Sequence, residues 1–562
     1  MTNFNEIKYK RLDFEQTKKQ VELLTEKLKH AQDIKSFLEI FKQINLIQLE
    51  IEEYSDYADI CNMRDANNEF FQKEMKYWNE FKSKFDLLFI DFYQICLNTP
   101  FKEEIKILIP DNFFYSIDYK NRTSSKDILK LQKRDNELKS QYKILMNKKC
   151  KFKGEEHNLS YITKFFSSSD RSERKEAHDS YNDFFMENRK DFDNIFLEMV
   201  QVRNQMAKTL GFNNYSEMSV LLLRRFGYGY KEIKIFRENI KNYITELVSE
   251  IRKMQKQELG LEELTYYDTV FYKEEPKLLY TEKQLLDKMH EIFVSMDLEL
   301  GNFYYDMLNN GYIDLLNSDN KIKFFITNYL SLSSLPTITG NFNGKYSDLT
   351  ALAHESGHSF QKYFAGIEDK KHIVSPLLKY PTFEIAEMFS YAIQLTTLDY
   401  VQDLFSKNDY NKYAFLVIKD LITTMPYIAT VDEFQERVYS KENISISEIK
   451  EIWKQLCNKY NLKNHITGHP TLENGEFFYR QNHIFLNPFY YVDYAISYFG
   501  AFAIWQQSSK DLETFKTMSA VASYLPLNEL ITKFNLANPF EDNSIKQLSL
   551  FLKQQLNKFK QK

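Results

Sequence analysis

Two histidines four residues apart serve one metal ion only if the chain between them is helical. His354-Glu355-Ser356-Gly357-His358 lies in a run, 348–361, that reads as one helix. On such a helix both imidazoles share a face, and Glu355 between them is placed to accept a proton from a water that the metal polarises. A second face is left for packing, because Leu349, Ala353, Ser356, Phe360 and Tyr363 recur at helical spacing. Ser347 or Asp348 is expected to cap the start, where an acid suits the helix dipole. This is the chemical core of a zinc peptidase, and it sets a helix at the centre of the fold.

A catalytic zinc site usually takes three protein ligands and keeps one position for water. The segment 380–390 offers the third. Pro381 and Thr382 read as a helix start, and Glu384 and Glu387 follow, three apart on one face. Either acid can also serve only to decorate the first turn, where negative charge is favourable. Residue types and spacing alone leave the choice between the two open.

The wider chain agrees with a helical body. Only 14 glycines and 11 prolines punctuate 562 residues, and no Gly/Ser/Pro-rich linker divides them. Long charged-and-apolar periodic runs, 14–30 and 34–57 among them, predict an amino-terminal helical lobe over 1–150, with the catalytic region over 151–562. The segment 224–230 reads as a break between helices. The clearest strand signal is 323–332, followed by 337–339 and an Asn343-Gly344 turn that leads into the histidine helix. An edge strand there can pair with an extended peptide through its backbone.

Several separated motifs resemble one family. His354 to Gln361, the preceding 340–344 with Asp348, and Glu387 to Ser390 are similar to the thimet oligopeptidase and oligoendopeptidase F family of zinc metallopeptidases. The similarity extends upstream through 202–215 and downstream through 480–495, so it spans about 200–510 in the right order. It implies that His354 and His358 are metal ligands and that Glu355 is the catalytic base. It also selects Glu387 over Glu384 as the third ligand of one zinc per chain, because the family's glutamate is followed three residues later by a serine, here Ser390. Glu384 then becomes an acid that orients an imidazole or supports the charge of the site. Seven residues beyond the ligand the family commonly has another acid, and here stands Gln394. The resemblance further places His483 with Tyr490, Tyr491 and Tyr494 across the cleft, with His483, Tyr491 and Tyr494 as donors to a developing oxyanion. The fold it implies is mainly α, two-lobed, with a deep central channel and a small β-sheet beside the H-E-x-x-H helix. The implied substrates are short unfolded peptides, cleaved internally.

Composition bounds the partners. A net charge of -5 with scattered Lys and Arg provides no face for nucleic acid. The amino terminus has no apolar signal core, and no run reads as long enough to span a membrane. Cys61, Cys96, Cys150 and Cys457 lack pairing or metal spacing and read as reduced thiols of a cytoplasmic protein. Two other readings keep the same residues: a metallocarboxypeptidase on a related helical scaffold, and a peptide-binding protein without turnover. Product identification separates the first, and an intact Glu355 argues against the second.

Overall fold

The computed structural model describes residues 1–123, 125–372, 375–508 and 512–560. It is 71% helical with sheets of only two and three strands, so the mainly α class with a small sheet is the observed one. Side-chain caps start the amino-terminal helices where the periodic runs begin. Asp13 and Asp33 accept from the N–H groups of Gln16 and Ser36, opening helices Phe14–Lys29 and Ile34–Arg64. A smaller core runs from Leu12 to Ile117 and takes in Leu378 and Tyr524. A larger one includes Leu349, Leu352, Ala353 and Phe360 of the histidine helix.

Between residues 150 and 157 lies a hairpin that the sequence reading did not anticipate. Its strands β1 (Cys150–Phe152) and β2 (Glu155–His157) turn through Lys153 and Gly154, both at positive φ. The sheet that matters for the site contains β3 (Ile313–Asp314), β4 (Ile326–Leu330) and β5 (Leu335–Thr339) in the order β3-β5-β4. The predicted strand 323–332 is shorter in fact, because residues 331–334 make the hairpin turn and Ser334 takes a φ of 56°. Ile326 pairs with Thr339 and Leu330 with Leu335 in antiparallel register, while β3 adds in parallel to the far side of β5. That leaves β4 at the edge. Glu53 of the helix Ile34–Arg64 braces the turn, accepting from the Leu332 and Ser333 N–H groups and from the Ser333 hydroxyl.

One expectation is corrected by the helix Lys407–Tyr439. Its 33 residues hold an 18-residue window with mean hydropathy 1.4, long and apolar enough by composition to cross a membrane. Within the fold 72% of that window is buried. The apolar surface is used up by the larger core, which takes Val417, Ile418, Ile422, Ile428 and Phe434 from this helix.

Candidate metal centre

The histidine helix is Tyr346–Asp369, and its N-cap, Lys345, stands two residues before Ser347 and three before Asp348. Lys345 occupies the N-cap position without a side-chain bond. Asp348 works from inside the first turn instead, accepting from the N–H groups of Asn343 and Gly344 at 2.9 and 2.7 Å. It thereby ties the helix to the turn that leaves β5, whose Gly344 has a φ of +78°. Leu349, Ala353, Ser356 and Phe360 are buried as the stripe predicts, and Tyr363 stacks half-buried on Phe303 with ring centroids 4.1 Å apart.

The next helix, Phe383–Thr396, crosses close to the first at Gly357. A Cβ at that position would lie 2.6 Å from the Cα of Ser390 and 2.9 Å from the carbonyl oxygen of Phe389. This approach lets Glu387 reach both imidazoles. Its carboxylate oxygens stand 3.4 Å from His354 Nε2 and 3.5 Å from His358 Nε2. The three ligand atoms lie within 4.8 Å of one another, so these residues can hold a metal ion. All three side chains remain partly open, between 12 and 18% exposed, as a site needs if water and substrate are to enter.

The electrostatics suit a cation. Burial alone would raise the Glu387 carboxyl, yet the two imidazoles overcome it and hold Glu387 well below the usual carboxylate range. Burial likewise disfavours a charged His354, and the Glu387 carboxylate outweighs it, raising that imidazole. Two neutral imidazoles and one carboxylate are a donor set that zinc accepts. Gln394, two turns beyond Glu387, brings its Oε1 to 3.3 Å from His354 Nδ1. A neutral amide thus occupies the place where the resembled family commonly has an acid, and it can accept the Nδ1 proton that leaves Nε2 free as a ligand.

Glu355 faces β4. The Thr327 hydroxyl lies 2.7 Å from its Oε2 and 3.0 Å from its backbone oxygen. The sequence reading missed Thr327, since nothing local marks one threonine on a strand as the partner of a glutamate 28 residues on.

Glu384 is buried in a charged cluster of its own, accepting from the Thr382 hydroxyl at 2.8 Å with the Tyr228 phenol beside it. Burial raises its carboxyl, and its charged neighbours are Arg225 and Asp493. Arg225 comes from the predicted break. Its guanidinium reaches Asp493 Oδ1 at 2.7 Å and the carbonyl oxygen of Phe489 at 2.6 Å. With one cation facing two buried carboxylates, burial pushes Asp493 up to about 7. Phe489 takes a φ of 65°, a strained conformation for a non-glycine residue, and is held there at both backbone polar groups by Gln435 and Arg225. The chain then turns into the tyrosine helix, Val492–Ser508, whose Ser497 hydroxyl donates to the Glu384 carbonyl.

His483, Tyr490, Tyr491 and Tyr494 do come together. The His483 ring stacks on Tyr491 at 4.6 Å, lies 5.9 Å from Tyr490 and meets Tyr494 edge-on at 6.1 Å. Phe383, at the start of the Glu387 helix, touches Tyr490 and Tyr494 with centroids 4.2 and 4.9 Å apart. After burial, the Glu387 charge is among the causes that raise both of these phenols. Burial pushes Tyr491 up to about 12. Phe383 thus links the Glu387 helix to Tyr490 and Tyr494, while Tyr491 stacks on His483.

A helical body whose H-E-x-x-H helix meets a glutamate from the following helix is the arrangement of a metallopeptidase centre. Residues 4–124 match the Peptidase M3 N-terminal domain and residues 165–549 match Peptidase family M3, and the chain belongs to that family. It is 26% identical over 394 residues to an oligoendopeptidase F homolog of Borreliella burgdorferi, a match spanning 66% of this chain and 63% of that relative. Among solved structures, Pz peptidase A with an inhibitor is 28% identical with a TM-score of 0.86, covering 99% of each chain. A candidate oligoendopeptidase F from Bacillus anthracis str. Ames is 27% identical with a TM-score of 0.82, covering 99% of this chain and 98% of that one.

Proposed function

We propose that this protein is a zinc-dependent oligoendopeptidase that hydrolyses internal bonds of short unstructured peptides. The observation carrying the reading is the convergence of His354, His358 and Glu387 beside a Glu355 pinned by Thr327. His354, His358 and Glu387 would hold zinc, which would supply Lewis acidity and lower the pKa of the attacking water. Glu355 takes the proton of the attacking water and passes it to the leaving amine. As charge builds on the scissile oxygen, His483 with one or more of Tyr490, Tyr491 and Tyr494 donates to it, and Tyr491 stacks on the His483 ring. The edge of β4, with no further strand paired to it, aligns the substrate through those backbone groups that the Tyr380 hydroxyl, donating to the Tyr329 carbonyl, leaves open. The four thiols are free, which supports a reducing, cytoplasmic setting.

Metal analysis of two variants tests the ligand set. Glu387→Gln should lose the metal under conditions where Glu384→Gln retains about one zinc per chain. The reverse result would remove Glu387 from the ligand set.

Substrate size is the second test. Glu355 faces the sheet through Thr327, and the helix Ile34–Arg64 braces that sheet through Glu53. Peptides of about five to twenty residues should enter, and folded proteins should not. An internally quenched peptide should therefore be cleaved far faster than the same segment in a surface loop of a folded carrier. Equal rates would indicate a general protease, and stepwise release of single carboxy-terminal residues would indicate a carboxypeptidase.

A further inference from the structure

His483 is backed by a hydrogen-bond chain that neither the metal centre nor the family resemblance accounts for. The Gln481 amide nitrogen lies 2.6 Å from His483 Nδ1, and the Gln481 Oε1 lies 2.8 Å from the Tyr427 hydroxyl. Tyr427 enters from the long helix Lys407–Tyr439, directly after Pro426, and packs on Tyr491 with centroids 6.1 Å apart. Burial drives its phenol well above the ordinary value, so the hydroxyl keeps its proton. No other hydrogen-bond acceptor for that hydroxyl is present among the described residues. Turning the amide over would orphan this buried donor, at a cost of about 1–3 kcal/mol. The carbonyl oxygen of Gln481 therefore faces Tyr427, and its N–H₂ faces the imidazole.

An amide N–H can donate to Nδ1 only if that nitrogen carries a lone pair. Burial lowers the His483 pKa, so the ring is neutral and its single proton sits on Nε2. That N–H is then the donor the ring offers among the Tyr490, Tyr491 and Tyr494 rings.

We infer that Gln481, fixed by Tyr427, is a positioning residue that locks His483 in its Nε2–H tautomer, so that the ring donates to the carbonyl oxygen of a bound peptide as charge develops there. The inference rests on the peptide-hydrolase reading for its purpose but not for its geometry. The opposite tautomer would present a lone pair to an oxyanion and repel it.

The experiment combines nitrogen-15 NMR of histidine-labelled, zinc-loaded protein with steady-state kinetics on a quenched peptide. His483→Gln identifies the His483 signals by their loss. Wild type should show a protonated Nε2 and an unprotonated Nδ1 for His483. Gln481→Glu, whose carboxylate can only accept, should place a proton on Nδ1 and lower kcat roughly 10²-fold with KM changed less than about twofold. Tyr427→Phe should lower kcat by a smaller factor, because the amide loses the bond that orients it. Circular dichroism confirms that each variant folds, and a Gln481→Asn variant, which keeps an amide, should recover part of kcat. A wild-type Nδ1–H tautomer, or a kcat for Gln481→Glu within about threefold of wild type, would overturn the assignment. Wild-type protein with the expected tautomer but no cleavage of any peptide would overturn the hydrolase reading and the catalytic purpose together, leaving the tautomer in place.

Discussion

Glutamine at position 355 should leave zinc bound and slow peptide hydrolysis by roughly 10³-fold or more, in line with the 10²–10⁴ that a positioned general base contributes. The two halves of this result have separate causes. Metal retention follows because the ligand atoms come from His354, His358 and Glu387, with Glu355 outside that cluster. Folding is preserved because the amide oxygen of glutamine can still accept from the Thr327 hydroxyl that lies 2.7 Å from Oε2. What is lost is the ability to take a proton, so the attacking water has no acceptor and the leaving amine no donor. Zinc per chain, measured together with kcat on a quenched peptide, reads both halves at once. Turnover within about tenfold of wild type would remove Glu355 from the mechanism, and loss of zinc would show that it supports the ligand set.

The parts of this site that the sequence disclosed are those encoded by short-range spacing. His354 and His358 share a helical face by arithmetic, and the packing stripe opposite them follows from the same period. Glu387 was harder, because Glu384 satisfies the same local rule. What separates them is tertiary: Glu384 sits in the first turn of its helix, accepts from Thr382 and turns toward Arg225 and Asp493. The family resemblance selected Glu387 through Ser390, whose hydroxyl donates to the Glu387 carbonyl, and the fold groups Glu387 with the two histidines. Thr327, Gln481 and Tyr427 carry no local signature, since each acts on a partner from a different stretch of chain or through a single side-chain bond. β3 was invisible for another reason: two residues are too few to show a period. The long helix Lys407–Tyr439 is hard to read as a membrane-length run because its apolar residues are interrupted by Lys412, Lys419 and Pro426, which the fold buries, and by Asp420, which it leaves exposed.

Gly357→Ala should destabilise the protein and weaken its zinc site, although intrinsic helix propensity predicts the opposite. In an unobstructed helix interior, alanine is more favourable than glycine by about 1 kcal/mol. Here the added methyl would stand 2.6 Å from the Ser390 Cα and 3.0 Å from the Ser390 carbonyl oxygen, both backbone atoms. A side chain can rotate out of such a contact, but a neighbouring helix cannot. Overpacking of this kind costs about 1–3 kcal/mol and occasionally more, enough to outweigh the propensity gain. Relief comes by moving the Phe383–Thr396 helix outward, and that helix carries Glu387. Its carboxylate, now 3.4–3.5 Å from the two imidazoles, would then draw away from the point where three ligand atoms meet. Thermal melts with and without zinc, and a chelator competition for zinc affinity, should both show the loss. A variant as stable as wild type with unchanged zinc affinity would mean that the two helices are free to separate without cost. The close crossing at Gly357 would then not be what brings Glu387 to the histidines.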